Sequence, residues 1–320
     1  MYQFKFLAPG TAIAILKDDK FTIGIGGVSN ITNNCTVTID TRFLCASISK
    51  LFTGLAILIL HDQGKLNLDQ DINKYLEIKI KHPYGLPITT RKLLLHKSGL
   101  LDDESGLLEW CYLNAADRPS LKDHIKNNLS KETRWSSDPQ YHYSNAGFTL
   151  LGYLIEEVSK ISFQDFIKQN IFDPLGITTA SWEVPLDLTD VAVPHSLDKT
   201  PYGHYSVAEY PAAQLRISIN DLFKFLKFFI NHQSDPKLIS LETMKMMLPD
   251  NFKDGLAWWG KNSSYGIKSE KIWTHGGYMK GVRTHIYYYP HLHAGFIILT
   301  NGENSCSEII KQCKNIMNNL

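Results

Sequence analysis

The chain has 320 residues, 43% of them hydrophobic and 20% charged, with a net charge of +1. That length and apolar content allow one large domain or two medium ones around a sizeable core. The near-neutral balance excludes a basic nucleic-acid binder and an acidic solvated tail.

In chain order, Ala12–Leu16 and Phe21–Ile25 are β-prone runs joined by Lys17–Lys20, which predicts a hairpin. Gly24-Ile25-Gly26-Gly27 lacks the third glycine of a dinucleotide loop and lies inside that hairpin, so it reads as a bend in a strand. A short β-prone run follows at Thr36–Ile39. From Ser47 to His61 the pattern is helical, with Leu51, Leu55, Leu58 and Ile59 on one face and Gly64 as the stop. Leu51–Leu60 is the longest apolar run; it is too short to span a bilayer and reads as a core helix.

The middle, from Leu66 to Thr200, is helix and loop. Leu150, Leu151, Leu154, Ile155 and Val158 make one helical face, Phe163, Phe166 and Ile167 begin another, and Asp173–Gly176 breaks the pattern. Ser218–Ile230 is helical again. Val282–Tyr289 and Gly295–Thr300 flank Pro290–His293, a second hairpin signal, and Ser305–Asn319 closes the chain as an amphipathic helix. Strands at both ends and helices between them predict one sheet assembled from both termini, with a helical lobe inserted. The five cysteines are odd in number and contain no C-x-x-C, so no disulfide framework is expected. Met1–Leu7 runs almost directly toward a strand, with no signal peptide in view. The expectation is a cytoplasmic protein if the sequence is complete, and a periplasmic or secreted one if a leader is missing.

The chemistry starts with S-x-x-K, which occurs at Ser47/Lys50, Ser196/Lys199 and Ser234/Lys237. Ser196 sits in a loop between two prolines, and Ser234 has Pro236 within its motif; only Ser47 opens a long apolar helix. Positions i and i+3 share a helical face, so Lys50 can aim its amine at the Ser47 hydroxyl. A helix N-terminus offers N–H groups to a developing oxyanion, and a desolvated lysine can act as a base. The bland alternative is an ordinary cap followed by an exposed lysine.

Tyr143-Ser144-Asn145 lies in a polar turn before a strong helix; a second Y-x-N occurs at Tyr112–Asn114. A phenol beside a lysine can relay a proton, and an asparagine amide can donate to a substrate carbonyl. His275-Gly276-Gly277 precedes the C-terminal strand pair. Glycines at a strand edge admit a second backbone, the N–H of Tyr278 can oppose that of Ser47 as an oxyanion donor, and His275 can hold a carboxylate when protonated or orient a water. Each motif has a plain structural alternative: a capped turn for the second, and a tight turn with a surface histidine for the third.

The order of the three motifs along the chain resembles the serine β-lactamase and penicillin-binding protein superfamily, in particular the branch holding class C β-lactamases, DD-peptidases, D-aminopeptidases and related esterases. Pro9-Gly10-Thr11-Ala12, Leu93–Leu100, Tyr143–Gly152 and Ile171–Gly176 extend the likeness over nearly the whole chain. The resemblance implies an α+β, β-lactamase/transpeptidase-like fold with an antiparallel sheet. It implies one lobe of about residues 1–60 and 210–320, and a helical lobe of about residues 61–209. It further implies Ser47, Lys50 and Tyr143 as catalytic residues, and Asn145, His275, Gly277 and Tyr278 as substrate-binding ones.

The third motif departs from the Lys-Thr-Gly usual in β-lactamases of this branch. Gly276 carries no hydroxyl for a substrate carboxylate, and Arg283 or Thr284 on the next strand are candidates to replace it. The leading expectation is an acyl-enzyme hydrolase of a small amide or ester, with D-residue peptides or β-lactams as candidates. A carboxylesterase of the same fold is the second reading, and a non-catalytic penicillin sensor or scaffold the third. The partner expected is a small molecule or short peptide, without nucleic acid or a transmembrane segment, and the sequence sets no oligomeric state. No metal or cofactor is expected, since His291-Leu292-His293 has no following ligand pair and no H-E-x-x-H occurs.

Overall fold

The structure, a computed structural model, describes residues 7–18, 20–102, 111–112, 117–129, 134–138, 140–232, 237–265 and 268–320. The chain opens with β1 (Gly10–Lys17), β2 (Lys20–Asn30), β3 (Cys35–Thr36) and β4 (Arg42–Leu44), then enters the helix α1 (Ser49–Asp62). The middle holds α2 (Thr90–Leu94), β5 (Cys111–Tyr112), α3 (Leu121–Asn128), α4 (Asn145–Ser159), α5 (Phe163–Ile167) and α6 (Asp173–Leu175). Next come β6 (Ser206–Val207), α7 (Tyr210–Ala213), β7 (Arg216–Ser218), α8 (Ile219–Asn231) and α9 (Leu241–Met247). Four strands, β8 (Trp259–Tyr265), β9 (Lys268–Met279), β10 (Val282–Tyr289) and β11 (Ala294–Thr300), and the helix α10 (Ser307–Asn319) complete the chain.

Seven strands form one sheet in the order β3-β2-β1-β11-β10-β9-β8, with antiparallel neighbours. Its centre joins the two ends of the chain, Thr11 opposite Thr300 and Lys17 opposite Ala294. Both faces are covered. Ala12, Ala14, Ile297 and Leu299 belong to the core cluster that includes Leu222, Phe225 and Phe229 of α8. Ile13, Ile15, Phe296 and Ile298 cluster with Ile309, Cys313 and Met317 of α10. A strand buried on both faces has no polar side to show, which explains why β1 and β11 read as unbroken apolar runs.

α1 is buried from Ser49 to Leu60, as expected of a helix that is apolar all round. The two breaks in its apolar run have uses: Thr53 Oγ1 donates to the carbonyl of Pro211 at 2.7 Å, and Gly54 admits Ala257, whose Cβ would lie 2.7 Å from any added Cβ. The helix starts two residues later than the spacing predicts. Ser47 sits in a preceding 3₁₀ turn, Ala46–Ile48, entered through Ala46 at φ +48°. A left-handed alanine costs roughly 1–2 kcal/mol, and the surrounding bonds hold it. Cys45 N–H donates to Leu215 O at 2.7 Å, Ser49 Oγ donates to Ala46 O at 2.6 Å and accepts from Leu215 N–H at 3.0 Å. The short β4–β7 pair, Leu44 opposite Arg216, anchors that turn. Three-residue strands carry no periodicity, so this pair is not legible in the sequence.

Candidate active site

Four segments surround the Ser47 turn, α1, α7, the turn before α4 and β9, and two of them reach the Ser47 hydroxyl. α1 brings Lys50, which is fully buried, and its Nζ lies 3.2 Å from Ser47 Oγ, 2.6 Å from Asn145 Oδ1 and 2.9 Å from the carbonyl of Ala212. These three acceptors match the three N–H bonds of an ammonium. If the amine loses one proton, the two remaining N–H bonds can stay on Asn145 and Ala212, which turns the lone pair toward Ser47. Burial pushes the Lys50 amine down to about 7, against the opposing pull of Asp102 and then Glu209. The Ala212 carbonyl is in reach because α7 packs closely on α4: a Cβ at Gly152 would lie 2.5 Å from Pro211 Cγ.

The turn before α4 brings Tyr143, whose hydroxyl donates to Ser47 Oγ at 2.8 Å. Its ring lies 4.4 Å from that of His96 and 4.9 Å from Lys50 Nζ. Burial raises the Tyr143 phenol above its ordinary range, so it stays a proton donor. Asn145 is in place, but its amide nitrogen donates to Asp102 Oδ2 at 2.8 Å rather than standing free for a substrate carbonyl.

β9 forms the opposite wall. A Cβ at Gly277 would lie 2.3 Å from Cys45 O and 2.2 Å from Thr284 Oγ1, so only glycine lets this strand reach the Ser47 turn. Thr284 Oγ1 donates to Cys45 O at 2.9 Å. β8 pairs with β9 only as far as Thr274, which leaves His275–Met279 with β10 on one side and no named strand on the other among the described residues.

His275 departs from the carboxylate-holding reading. It is fully buried, stacks on Trp259 with ring centroids 4.2 Å apart, and is pushed down to about 3 by burial and then by Lys50. At neutral pH it is an uncharged part of the wall. The proposed substitutes for the missing hydroxyl depart as well. Thr284 is tied to Cys45. Arg283 alternates to the other face of the sheet, where it bonds the carbonyls of Met279 and Val282 beside the exposed ring of Tyr278. Of the rival S-x-x-K motifs, Ser196 bonds locally to Asp198 and Thr200, and Ser234 lies outside the described residues.

Sequence reading missed Asp102, Ala212, Glu209 and Trp259. Asp102 lies two positions past the Leu93–Leu100 segment but is otherwise one acid among many, and a carbonyl leaves no mark on a sequence.

Residues 5–309 match the beta-lactamase family model. The chain belongs to the beta-lactamase family. It is 26% identical to the protein flp of Staphylococcus aureus (strain N315) over 306 residues, covering 92% of this chain and 59% of the relative. It therefore spans about three-fifths of the length of that curated relative. Among solved structures it superposes on the octameric penicillin-binding protein homologue from Pyrococcus abyssi with a TM-score of 0.77 at 29% identity, covering 92% of this chain and 70% of that one. A class C beta lactamase from Rhodobacter sphaeroides matches with a TM-score of 0.75 at 18% identity, covering 97% and 94%, a likeness of fold alone. The seven-stranded antiparallel sheet with flanking helices is the β-lactamase/transpeptidase-like fold.

Proposed function

We propose that the protein is a serine hydrolase acting through an acyl-enzyme on a small amide or ester, with D-residue peptides and β-lactams as candidate substrates. The observation that carries this reading is the flanking of Ser47 Oγ by Lys50 Nζ at 3.2 Å and Tyr143 OH at 2.8 Å, with the amine held down to about 7. In this mechanism the free amine of Lys50 takes the Ser47 proton as Oγ attacks the substrate carbonyl. The N–H groups of Ser47 and Tyr278 receive the oxyanion. Tyr143 gives its proton to the leaving group and recovers one from Lys50, which leaves an ester on Ser47. Water then attacks that ester by the reverse proton path. The cleft would lie between a sheet-bearing lobe, about residues 1–60 and 210–320, and a helical lobe, about residues 61–209.

Substrate charge favours a second reading, a carboxylesterase. His275 is neutral, Gly276 has no hydroxyl, Thr284 is occupied and Arg283 is on the far face. None of these supplies a charge for a substrate carboxylate, and a neutral ester needs none. Intact mass after brief exposure to benzylpenicillin and to p-nitrophenyl acetate tests both, with Ser47→Ala as control. A lasting penicillin adduct indicates a penicillin-binding peptidase. One that decays to hydrolysed drug indicates a β-lactamase, and ester turnover without a penicillin adduct indicates an esterase. Wild-type turnover by Ser47→Ala overturns the whole reading.

A further inference from the structure

We propose that Asp102 is a positioning residue for the Ser47–Lys50 pair and acts on it through Asn145. The inference rests on the hydrolase reading above. Asp102 accepts three hydrogen bonds, from Ser144 Oγ at 3.2 Å, Asn145 Nδ2 at 2.8 Å and Ala146 N–H at 3.0 Å. All three come from the turn and first residues of α4, next to Tyr143. The same segment of chain holds that turn a second time: His96 Nδ1 accepts from Ser144 N–H at 3.1 Å, and its carbonyl accepts from His142 N–H at 2.8 Å. Residues 96–102 thus bracket Tyr143 and Asn145 from one side.

The polarity of the chain of contacts matters more than its number. An ionised carboxylate can only accept hydrogen bonds, and an asparagine amide has one accepting end and one donating end. Asp102 therefore takes the nitrogen of Asn145 and turns its oxygen to Lys50, 2.6 Å away. That oxygen holds one N–H of the amine and helps turn the lone pair to Ser47. Without a carboxylate at position 102 the amide can reverse, and a donor then faces a donor at Lys50.

Charge adds a second effect with a measurable sign. The groups acting on Lys50 are Asp102 and Glu209, which favour its charged form, with His96, His275 and Tyr143 around it and otherwise buried surroundings. Removing the Asp102 charge makes the ammonium less favourable, so the amine loses its proton at lower pH.

The test is the pH profile of kcat/KM for p-nitrophenyl acetate in Asp102→Asn, Asp102→Glu and Asn145→Ala, with melting temperature measured on each. Asp102→Asn is expected to lose about ten- to hundredfold, the size of one hydrogen bond to a charged group. Its acid limb is expected to move down by about one pH unit. Asp102→Glu keeps the charge and should return the limb to the wild-type position, which a merely structural anchor would not do. In the Asn145→Ala background, Asp102→Asn should cost little further rate, because the path between them is gone. A folded Asp102→Asn with wild-type rate and limb overturns the inference, and so do fully additive losses in the double variant. Should Asp102→Asn not fold, Asn145→Ala decides alone: a wild-type rate there overturns the proposal that Asp102 acts on Lys50 through Asn145. Loss of turnover in Ser47→Ala beside an unaffected Asp102→Asn refutes this inference and leaves the hydrolase reading standing.

Discussion

Lys50 Nζ lies closer to Asn145 Oδ1, at 2.6 Å, than to Ser47 Oγ, at 3.2 Å. The amine is thus held by neighbours that do not react, and its weakest contact is the one where a proton would move. Acylation needs the free amine, and Lys50 is pushed down to about 7 by burial. Single-turnover acylation by p-nitrophenyl acetate should therefore rise with pH through about 7 and level off above it. A profile that stays flat for about two pH units on either side of that value would remove Lys50 as the base.

The same buried amine predicts a pH-dependent stability. In the unfolded chain Lys50 titrates near its ordinary 10.5, and in the fold near 7. Between these values the unfolded state holds the extra proton, so stability rises with pH across that window. Below it both states are charged and the burial penalty is fully present. The difference in unfolding free energy between wild type and Lys50→Met should grow in favour of wild type from pH 7 upward, with a slope of at most about 1.4 kcal/mol per pH unit. Urea titrations of both proteins at several pH values measure it, and a constant difference would contradict it.

Tyr143→Phe keeps the ring that packs on His96 and Lys50 and removes only the hydroxyl that donates to Ser47. Turnover should fall by about 10²–10⁴ with little change in melting temperature. Equal activity would show that the proton reaches the leaving group by another route.

Gly277→Ala places a Cβ 2.3 Å from Cys45 O and 2.2 Å from Thr284 Oγ1. Neither contact can persist, so β9 must move away from the Ser47 turn. The expected result is loss of acylation in a protein that still folds, read by mass spectrometry and circular dichroism together. Normal acylation would mean that β9 does not need its observed approach.

The long elements were legible because burial on one or two faces imprints a period. The α4 face at Leu150, Leu151, Leu154 and Ile155 and the runs in β1 and β11 are examples. Ser47, Lys50 and Tyr143 were singled out through motif order, and the fold brings Lys50 and Tyr143 each within hydrogen-bond distance of Ser47. The strand β8 escaped notice because its Trp259–Tyr265 sequence is mostly polar. Asp102 escaped because its importance lies in partners 42 to 44 residues away, which no local pattern records. The state of His275 escaped because burial, not residue type, decides its charge.

The pairing of Thr11 with Thr300 has a consequence for synthesis. β1 lies beside the central strand β11, and Thr11 is made 289 positions before its partner Thr300. A ribosome adds about 5–20 residues per second, so β1 spends many seconds with its β11 edge uncovered. During that time the Ser47 turn can form once β7 has been made, but its opposite wall on β9 does not yet exist. A nascent chain therefore lacks the complete site that the proposed acylation needs until β9 emerges, and the apolar edge of β1 is the segment a chaperone would be expected to shield until β11 follows.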